Sequence, residues 1–200
     1  MKILRKMKKY IGRNKYHAIV IGSSAGGVAV LESILSSLPK KFPLPLMIVQ
    51  HLASNSDDYL AHFLGNSCHL VVKEVEDGEP IQPGYVYLSP PNYHLMAERK
   101  QTLSLSTDSP VNFSRPSIDV LFESASRVYE DKLIGILLTG GNKDGSKGLA
   151  CIHEQGGLTI VQDPNTAESP FMPLAAIDAV KVDYILSEEK IGTLLKDILE

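Results

Sequence analysis

Three residues of the types found in a hydrolytic triad stand at the ends of three apolar runs in the chain. Ser24 follows the first run, His51 follows the second, and Asp144 comes shortly after the third. A serine hydroxyl becomes a strong nucleophile when a histidine removes its proton, and the histidine needs an acceptor for its other ring nitrogen. The pattern therefore predicts a serine hydrolase in which Ser24 is the nucleophile, His51 the base and Asp144 the orienting acid.

The predicted nucleophile lies in a turn made of small residues. Residues 22–26 read Gly-Ser-Ser-Ala-Gly, the G-x-S-x-G pattern that places a serine on a sharp turn between a strand and a helix. Acyl transfer also needs amide N–H groups aimed at the oxyanion that forms. The amide of Ala25 and an amide from the turn containing Gly141 and Asn142 are the natural candidates for these donors.

Each triad residue also has a simpler explanation. Ser24 and Asp144 could cap helices, and His51 could be a histidine whose hydrogen bonds are satisfied at the end of a strand. A glycine-rich turn also suits a phosphate, so a nucleotide-binding module is an alternative, as is a non-catalytic interaction module. The full dinucleotide pattern G-x-G-x-x-G is absent, and the second apolar run ends in Gln50-His51 instead of an acidic ribose ligand.

The elements around these residues follow the rhythm of an α/β protein. Apolar runs long enough for buried strands alternate with stretches of helical periodicity, which predicts a doubly wound, mainly parallel sheet flanked by helices. Ligands of such sheets bind beyond the carboxyl ends of the strands, where the three candidate residues fall. The four strongest runs are at 18–21, 46–49, 133–138 and 158–161.

The rhythm is interrupted around residues 70–106, where we expect an antiparallel ribbon on one edge of the sheet. Turn signals such as Asp77-Gly78 and Pro83-Gly84 separate short alternating runs at 85–88 and 94–96. Alternation broken by turn residues is typical of antiparallel strands.

Composition limits the classes of function. The formal net charge of -3 argues against general nucleic-acid binding, and two cysteines, Cys68 and Cys151, are too few and too far apart for a disulfide framework. No apolar stretch is long enough for a membrane span or a secretory signal. We therefore expect a cytoplasmic protein with no integral membrane segment.

The first sixteen residues form a segment of different character. Seven basic residues occur there before any acidic one, and five apolar residues fall on one helical face among them. Such a segment either lies on an anionic membrane or a partner, or is a solvated tail. We divide the chain into a basic tail at 1–16 and a catalytic domain at 17–200.

Beyond these patterns, the sequence resembles the catalytic domain of the chemotaxis protein-glutamate methylesterases, the CheB family. The resemblance implies hydrolysis of glutamate methyl esters on the cytoplasmic helices of bacterial chemoreceptors by Ser24, His51 and Asp144, with glutamine deamidation as a related activity. It implies no metal or organic cofactor. The matching motifs are Ile-Gly-Ser-Ser-Ala-Gly-Gly at 21–27, Gln-His at 50–51, Glu-Asp-Gly at 76–78, Arg-Pro-Ser-Ile-Asp-Val-Leu-Phe at 115–122, Leu-Thr-Gly at 138–140 with Asp-Gly at 144–145, and Met-Pro at 172–173 followed by Ala-Ile at 176–177.

The same resemblance places Arg115 near the mouth of the site, where it could engage the acidic flank of a receptor helix. Three positions in two motifs depart from the family pattern, since threonine is usual at Ala25 and a Met-Gly pair at Gly141-Asn142. If the missing threonine hydroxyl helps hold the nucleophile, the rate should be lower. Family members commonly carry an N-terminal receiver domain, but only sixteen residues precede the first strand. We therefore expect an accessible site, or control by a separate regulator.

Overall fold

The computed structural model of the protein describes residues 15–52 and 59–197. Nearly all of the predicted basic tail at 1–16 lies outside these ranges, so its predicted helix is not part of the description. Residues 53–58 also lie outside the description.

The strands of the described ranges lie close to the predicted apolar runs, because those runs supply side chains for both faces of a covered sheet. They are β1 (Ala18–Ser23), β2 (Leu46–Gln50), β3 (Val71–Glu74), β4 (Tyr85–Leu88), β5 (His94–Glu98), β6 (Thr102–Ser106), β7 (Leu133–Leu137), β8 (Leu158–Gln162) and β9 (Tyr184–Leu186).

Seven of these strands form one parallel sheet in the order β3-β4-β2-β1-β7-β8-β9. The central strand β1 pairs with β2 on one side, where Ser23 lies opposite Gln50, and with β7 on the other, where Gly22 lies opposite Leu137. The predicted doubly wound sheet is therefore confirmed. Its register places the loops after β1, β2 and β7 side by side at the carboxyl edge.

Helices cover both faces of the sheet, and each face has its own core. On one face, Ile19 and Ile21 of β1 belong to a cluster with helical residues such as Leu31 and Leu194. On the other, Ala18 and Val20 of β1 belong to a cluster with helical residues such as Phe122 and Leu149. Among the helices of the described ranges, none has the length and hydropathy that a bilayer span requires. The α-helices are α1 (Gly27–Ser36), α2 (Tyr59–Ser67), α3 (Ile118–Tyr129), α4 (Ser146–Glu154), α5 (Phe171–Ala179) and α6 (Glu188–Asp197), with a 3-10 turn at Glu130–Lys132.

An antiparallel ribbon is present, but it is shorter than predicted. Among the strands of the described ranges, β5 and β6 are the one antiparallel pair, with His94 opposite Ser106, and they form a separate two-stranded sheet. The ribbon lies against α3, where the amide of Ala97 donates to the hydroxyl of Ser124 at 3.2 Å. The prediction was wrong for β3 and β4, which join the main sheet in parallel. In β4 three of four residues are buried, because this strand lies between β3 and β2.

Candidate active site

The three predicted triad residues lie in adjacent loops that backbone hydrogen bonds hold together. The amide of His51 donates to the carbonyl of Ser23 at 3.0 Å, and the amide of Ser24 donates to the carbonyl of Thr139 at 2.9 Å. These bonds continue the ladders of the sheet beyond its last strand residues. The loop after β1 is thereby fixed against the loops after β2 and β7 before any side chain contributes.

Ser24 does not cap the helix that follows it. The N-cap of α1 is Gly26, with φ of 75°, and the helix has no capping bond from a side chain. The carbonyl of Ser24 accepts from the amide of Gly27 at 2.8 Å, which tightens the turn. Because Gly26 is left-handed, and a Cβ there would lie 2.6 Å from Cβ of Glu168, glycine is required at this position. The hydroxyl of Ser24 is left half-buried at the edge of the sheet.

The other glycines of the turn are explained by packing. A Cβ on Gly22 would collide with the side chain of Ile118 in α3, and a Cβ on Gly27 would collide with Oε1 of Gln50. Both positions are filled by the protein's own side chains. The glycine-rich sequence is therefore accounted for without a bound phosphate, which weakens the nucleotide-binding alternative.

His51 and Asp144 form a hydrogen-bonded pair. Nε2 of His51 lies 2.9 Å from Oδ2 of Asp144, with the histidine side chain 13% exposed and the aspartate fully buried. Since Nε2 is engaged, Nδ1 is the nitrogen left to accept a proton from Ser24. This is the reverse of the use of the two nitrogens in trypsin-like triads. Within the described ranges no hydrogen bond joins Ser24 Oγ to His51, and such bonds are often longer before substrate binds.

The carboxylate of Asp144 is the most heavily hydrogen-bonded group of the site. Besides His51, it accepts from the hydroxyl of Ser117 at 2.8 Å and from the amides of Ile118 at 2.7 Å and Asp119 at 3.2 Å. Burial acts to raise the pKa of Asp144, but the hydrogen bonds from His51, Ile118 and Ser117 outweigh it and hold this pKa below its ordinary value. The arrangement keeps Asp144 ionised.

These hydrogen bonds correct the simpler explanation that Asp144 caps the helix that follows it. The helix that follows it, α4, has Gly145 as its N-cap and no side-chain capping bond. Asp144 instead satisfies the first amides of α3, whose N-cap Ser117 does not cap its own helix. A buried carboxylate at the positive end of a helix is electrostatically favourable. Asp144 thus fastens α3 to the active-site turn as well as facing His51.

Gln50 links Ser24 and His51, the predicted nucleophile and base, and we did not assign this role from the sequence. Its Nε2 donates to the carbonyl of Ser24 at 2.9 Å and to the carbonyl of His51 at 3.0 Å. Its Oε1 accepts from the hydroxyl of Ser23 at 2.7 Å. A polar residue at the end of a buried strand, directly before the predicted base, was the available signal. Gln50 therefore sets the relative positions of the two loops that carry Ser24 and His51.

The predicted oxyanion donors lie beside the nucleophile. A Cβ on Gly140 would lie 3.0 Å from Cβ of Ser24, so this turn approaches the serine closely. In the described ranges the amides of Ala25 and Gly141 donate no hydrogen bond, which leaves them available for a ligand. The side chain of Asn142 accepts from the amide of Asp144 at 3.0 Å through its Oδ1, and the backbone amide of Asn142 stays a candidate. Their role as oxyanion donors stays a prediction.

Arg115 holds the loop that precedes α3. Its Nη1 donates to the carbonyl of Thr107 at 2.7 Å and to that of Asp108 at 3.1 Å. The tip of this loop carries Phe113, which is fully exposed at 103%, next to Asn112, whose side chain donates to Asp144 at 3.2 Å. The loop therefore borders the site. Binding of substrate by Arg115 stays a prediction.

The chain was compared with known proteins. A model of the family described as CheB methylesterase matches residues 19–195. A protein of Leptospira interrogans, described as a candidate protein-glutamate methylesterase/protein-glutamine glutaminase, is 55% identical over 179 residues, which cover 90% of this chain and 93% of that protein. The protein-glutamate methylesterase/protein-glutamine glutaminase of Thermotoga maritima is 37% identical over 184 residues, and the match covers 90% of this chain but only 54% of that longer protein. The crystal structure of the Thermotoga maritima CheB methylesterase catalytic domain is similar with a TM-score of 0.87 and 36% identity, over 92% of this chain and 98% of that chain.

Proposed function

The chain belongs to the CheB methylesterase family, and from that premise we propose that it hydrolyses glutamate methyl esters on bacterial chemoreceptors, with glutamine deamidation as a second reaction. The observation that carries the proposal is the buried Asp144 carboxylate bonded to His51 at 2.9 Å, in the loop next to Ser24. The relatives are described as protein-glutamate methylesterases, and these names support a glutamate methyl ester as the substrate. If the substrate is a receptor, the reaction takes place in the cytoplasm, beside membrane-bound receptors.

In the first half of the proposed reaction, the hydroxyl of Ser24 attacks the ester carbonyl carbon. Nδ1 of His51 takes the hydroxyl proton, while Nε2 keeps its bond to Asp144, so that the imidazolium faces a carboxylate. The amides of Ala25 and Gly141 donate to the oxyanion. When the intermediate collapses, the bond to the methoxy oxygen breaks and His51 returns the proton to that oxygen. Methanol leaves, and the glutamyl group stays on Ser24 as an ester.

In the second half, water replaces the serine as nucleophile. His51 takes a proton from the water as it attacks the glutamyl ester, and then gives that proton to Oγ of Ser24 as the acyl bond breaks. The product is a glutamic acid side chain, which loses its remaining proton to solvent and becomes a carboxylate, and the enzyme is free again. With glutamine as substrate, the same steps release ammonia in place of methanol and leave the same carboxylate.

The test is release of methanol from a methylated chemoreceptor fragment by the purified protein. We expect release by the wild type and none above background from Ser24→Ala, and a fluorophosphonate probe should label the wild type at Ser24. Labelling without methanol release would retain a serine hydrolase but overturn the receptor substrate. Absence of both would favour the non-catalytic alternative.

A further inference from the structure

A second buried carboxylate, Asp119, lies beside the proposed triad without a place in the mechanism above. It is 3% exposed in the first turn of α3. Its Oδ1 accepts from the amide of Gly148 in α4 at 2.7 Å, which ties the two helices together on either side of Asp144. A buried carboxylate is costly unless its oxygens are hydrogen-bonded, and the partner of its other oxygen leads directly to the site.

That partner is the side-chain amide of Asn112. Nδ2 of Asn112 lies 2.8 Å from Oδ2 of Asp119 and 3.2 Å from Oδ1 of Asp144. An amide nitrogen has two hydrogens, so one can go to each carboxylate. The opposite orientation of the amide would place its oxygen against two carboxylates. Asp119 therefore fixes the direction in which Asn112 presents its second N–H to Asp144.

We propose that Asp119 is a positioning residue for catalysis, acting through Asn112 to orient Asp144 and adding a second negative charge behind the carboxylate that faces His51. This inference rests on the proposed hydrolytic function of the same site. Hydrogen bonds to a charged group are the strong ones, and they hold an acceptor in one direction. The second charge stabilises the imidazolium that forms on His51 during each proton transfer.

The charges around Asp119 set the pH range in which this role operates. Burial, followed by repulsion from Asp144, raises the pKa of Asp119 to about 6, against the hydrogen bonds from Gly148 and Asn112. The other charged groups that face it are Glu123 on its own helix, Lys147 on α4, and His51 beyond Asp144. Asp119 is therefore charged above about pH 6 and neutral below it.

The decisive variant is Asp119→Asn, because asparagine has the shape of a protonated aspartate. We measure kcat/KM for a small ester from pH 5 to pH 8 in the variant and the wild type. If Asp119 acts through its charge, the ratio of variant to wild type stays near one at low pH, and falls by roughly 10- to 100-fold above pH 6, the range for losing a hydrogen bond to a charged group. A purely structural role would give the same ratio at every pH.

Asp183→Asn is the control for loss of a hydrogen-bonded aspartate charge away from the site. Asp183 is exposed, and one of its carboxylate oxygens accepts from the amide and the hydroxyl of Thr159 at 2.9 and 2.8 Å. It lies at the opposite edge of the sheet, beside the start of β8. The kcat/KM of this variant should equal that of the wild type throughout the pH range.

Asn112→Gly keeps the proposal testable if Asp119→Asn does not fold. Asn112 has φ of 50°, which glycine tolerates, so this change removes both N–H groups without straining the backbone. We expect a lower kcat and an unchanged KM for the small ester. If the two residues act through each other, the double variant loses no more activity than the worse single variant.

The outcomes separate this inference from the proposed function. A wild type without esterase activity overturns the function itself. An active wild type, combined with a pH-independent ratio for Asp119→Asn or with additive losses in the double variant, overturns only the positioning role of Asp119.

Discussion

Of the three residues of the proposed triad, Ser24 contributes least to the stability of the fold. Its hydroxyl makes no hydrogen bond within the described ranges, and its backbone bonds survive replacement by alanine. We therefore predict that Ser24→Ala folds normally but loses hydrolysis of a small ester by roughly 10³-fold or more. Thermal unfolding and steady-state kinetics measure the two effects. Ser36→Ala, on the exposed end of α1, is the control and should keep full activity. A Ser24→Ala variant with a tenth of the normal rate would reject the nucleophile assignment.

Asp144 differs, because its carboxylate holds the start of α3 as well as having a part in the proposed reaction. We predict that Asp144→Asn lowers kcat by about 10⁴-fold, since the amide favours the wrong histidine tautomer. It also loses about 1–3 kcal/mol of stability, because the N–H₂ group cannot accept a hydrogen bond and replaces either the oxygen that accepts from Ser117 or the oxygen that accepts from Ile118. Urea denaturation at neutral pH measures the second effect. Normal stability with a low rate would mean that the cap on α3 is dispensable.

The pH dependence of that stability loss has a defined sign. Because the folded pKa of Asp144 lies below the ordinary 3.8, its contribution is fully present above the unfolded pKa and is lost as the pH falls through the folded one. The gap in unfolding free energy between wild type and Asp144→Asn should therefore be constant near neutral pH and shrink in acid. The raised pKa of Asp119 has the opposite effect on stability. Its charged form destabilises the folded state above this pKa, and the destabilisation is absent in acid.

At the scale of elements, the ends of β1 and β2 are joined by one side chain. We predict that Gln50→Met lowers kcat for a small ester by up to about 100-fold, because the two loops lose their fixed spacing. Its KM should change little, since Gln50 is buried behind the site. Thr159→Val is the control, because it removes a partly buried hydrogen bond to Asp183 far from the site. If both variants lose similar stability and similar activity, Gln50 has no specific positioning role.

The loop before α3 gives a prediction about substrate size. Arg115→Glu should release the carbonyls of Thr107 and Asp108 and displace Phe113, so that KM for a methylated receptor fragment rises by roughly three- to tenfold, the effect of about 1 kcal/mol. KM for a small ester should rise less. Arg99→Glu, in the turn of the ribbon, is the control for added charge. Equal effects on both substrates would remove Arg115 from the recognition surface.

The strands were predictable because a strand that is buried on both faces is a continuous apolar run in the sequence. The pairing of Tyr85–Leu88 was not, because alternating aromatic and aliphatic residues fit a parallel or an antiparallel partner equally well. Which strand lies alongside is decided by contacts across the whole sheet. The same apolar runs show where the strands end, so the location of the predicted triad residues at strand ends was also predictable.

The groups that support the triad residues were harder to identify. Gln50 bonds to Ser24 across 26 residues and Asn112 to Asp144 across 32, and such separations leave no periodic signal. Asp119 was the exception that could have been found. It is a charged residue on the face of α3 that also carries Ile118 and Phe122, and a buried charge in that position requires a partner.

At the scale of the whole molecule, the fold brings distant parts of the chain to one edge. The central strand β1 pairs Ala18 with Leu133 in β7, and His51 bonds Asp144 across 93 residues. Each half of the sheet therefore supplies part of the site. Pairings over such long separations close large loops and form slowly.

The central place of β1 makes enzymatic activity a reporter of complete folding. A nascent chain that ends before β7 contains Ser24 and His51 but lacks the carboxylate that orients the histidine. We predict that, on dilution from urea, ester hydrolysis recovers with the slowest phase seen by circular dichroism, and never ahead of it. Recovery in an earlier phase would mean that the two halves of the sheet meet before the helices form.

A partly folded chain would bind no receptor productively and release no methanol. Errors in folding would therefore leave the enzyme inactive and would not direct it to other substrates.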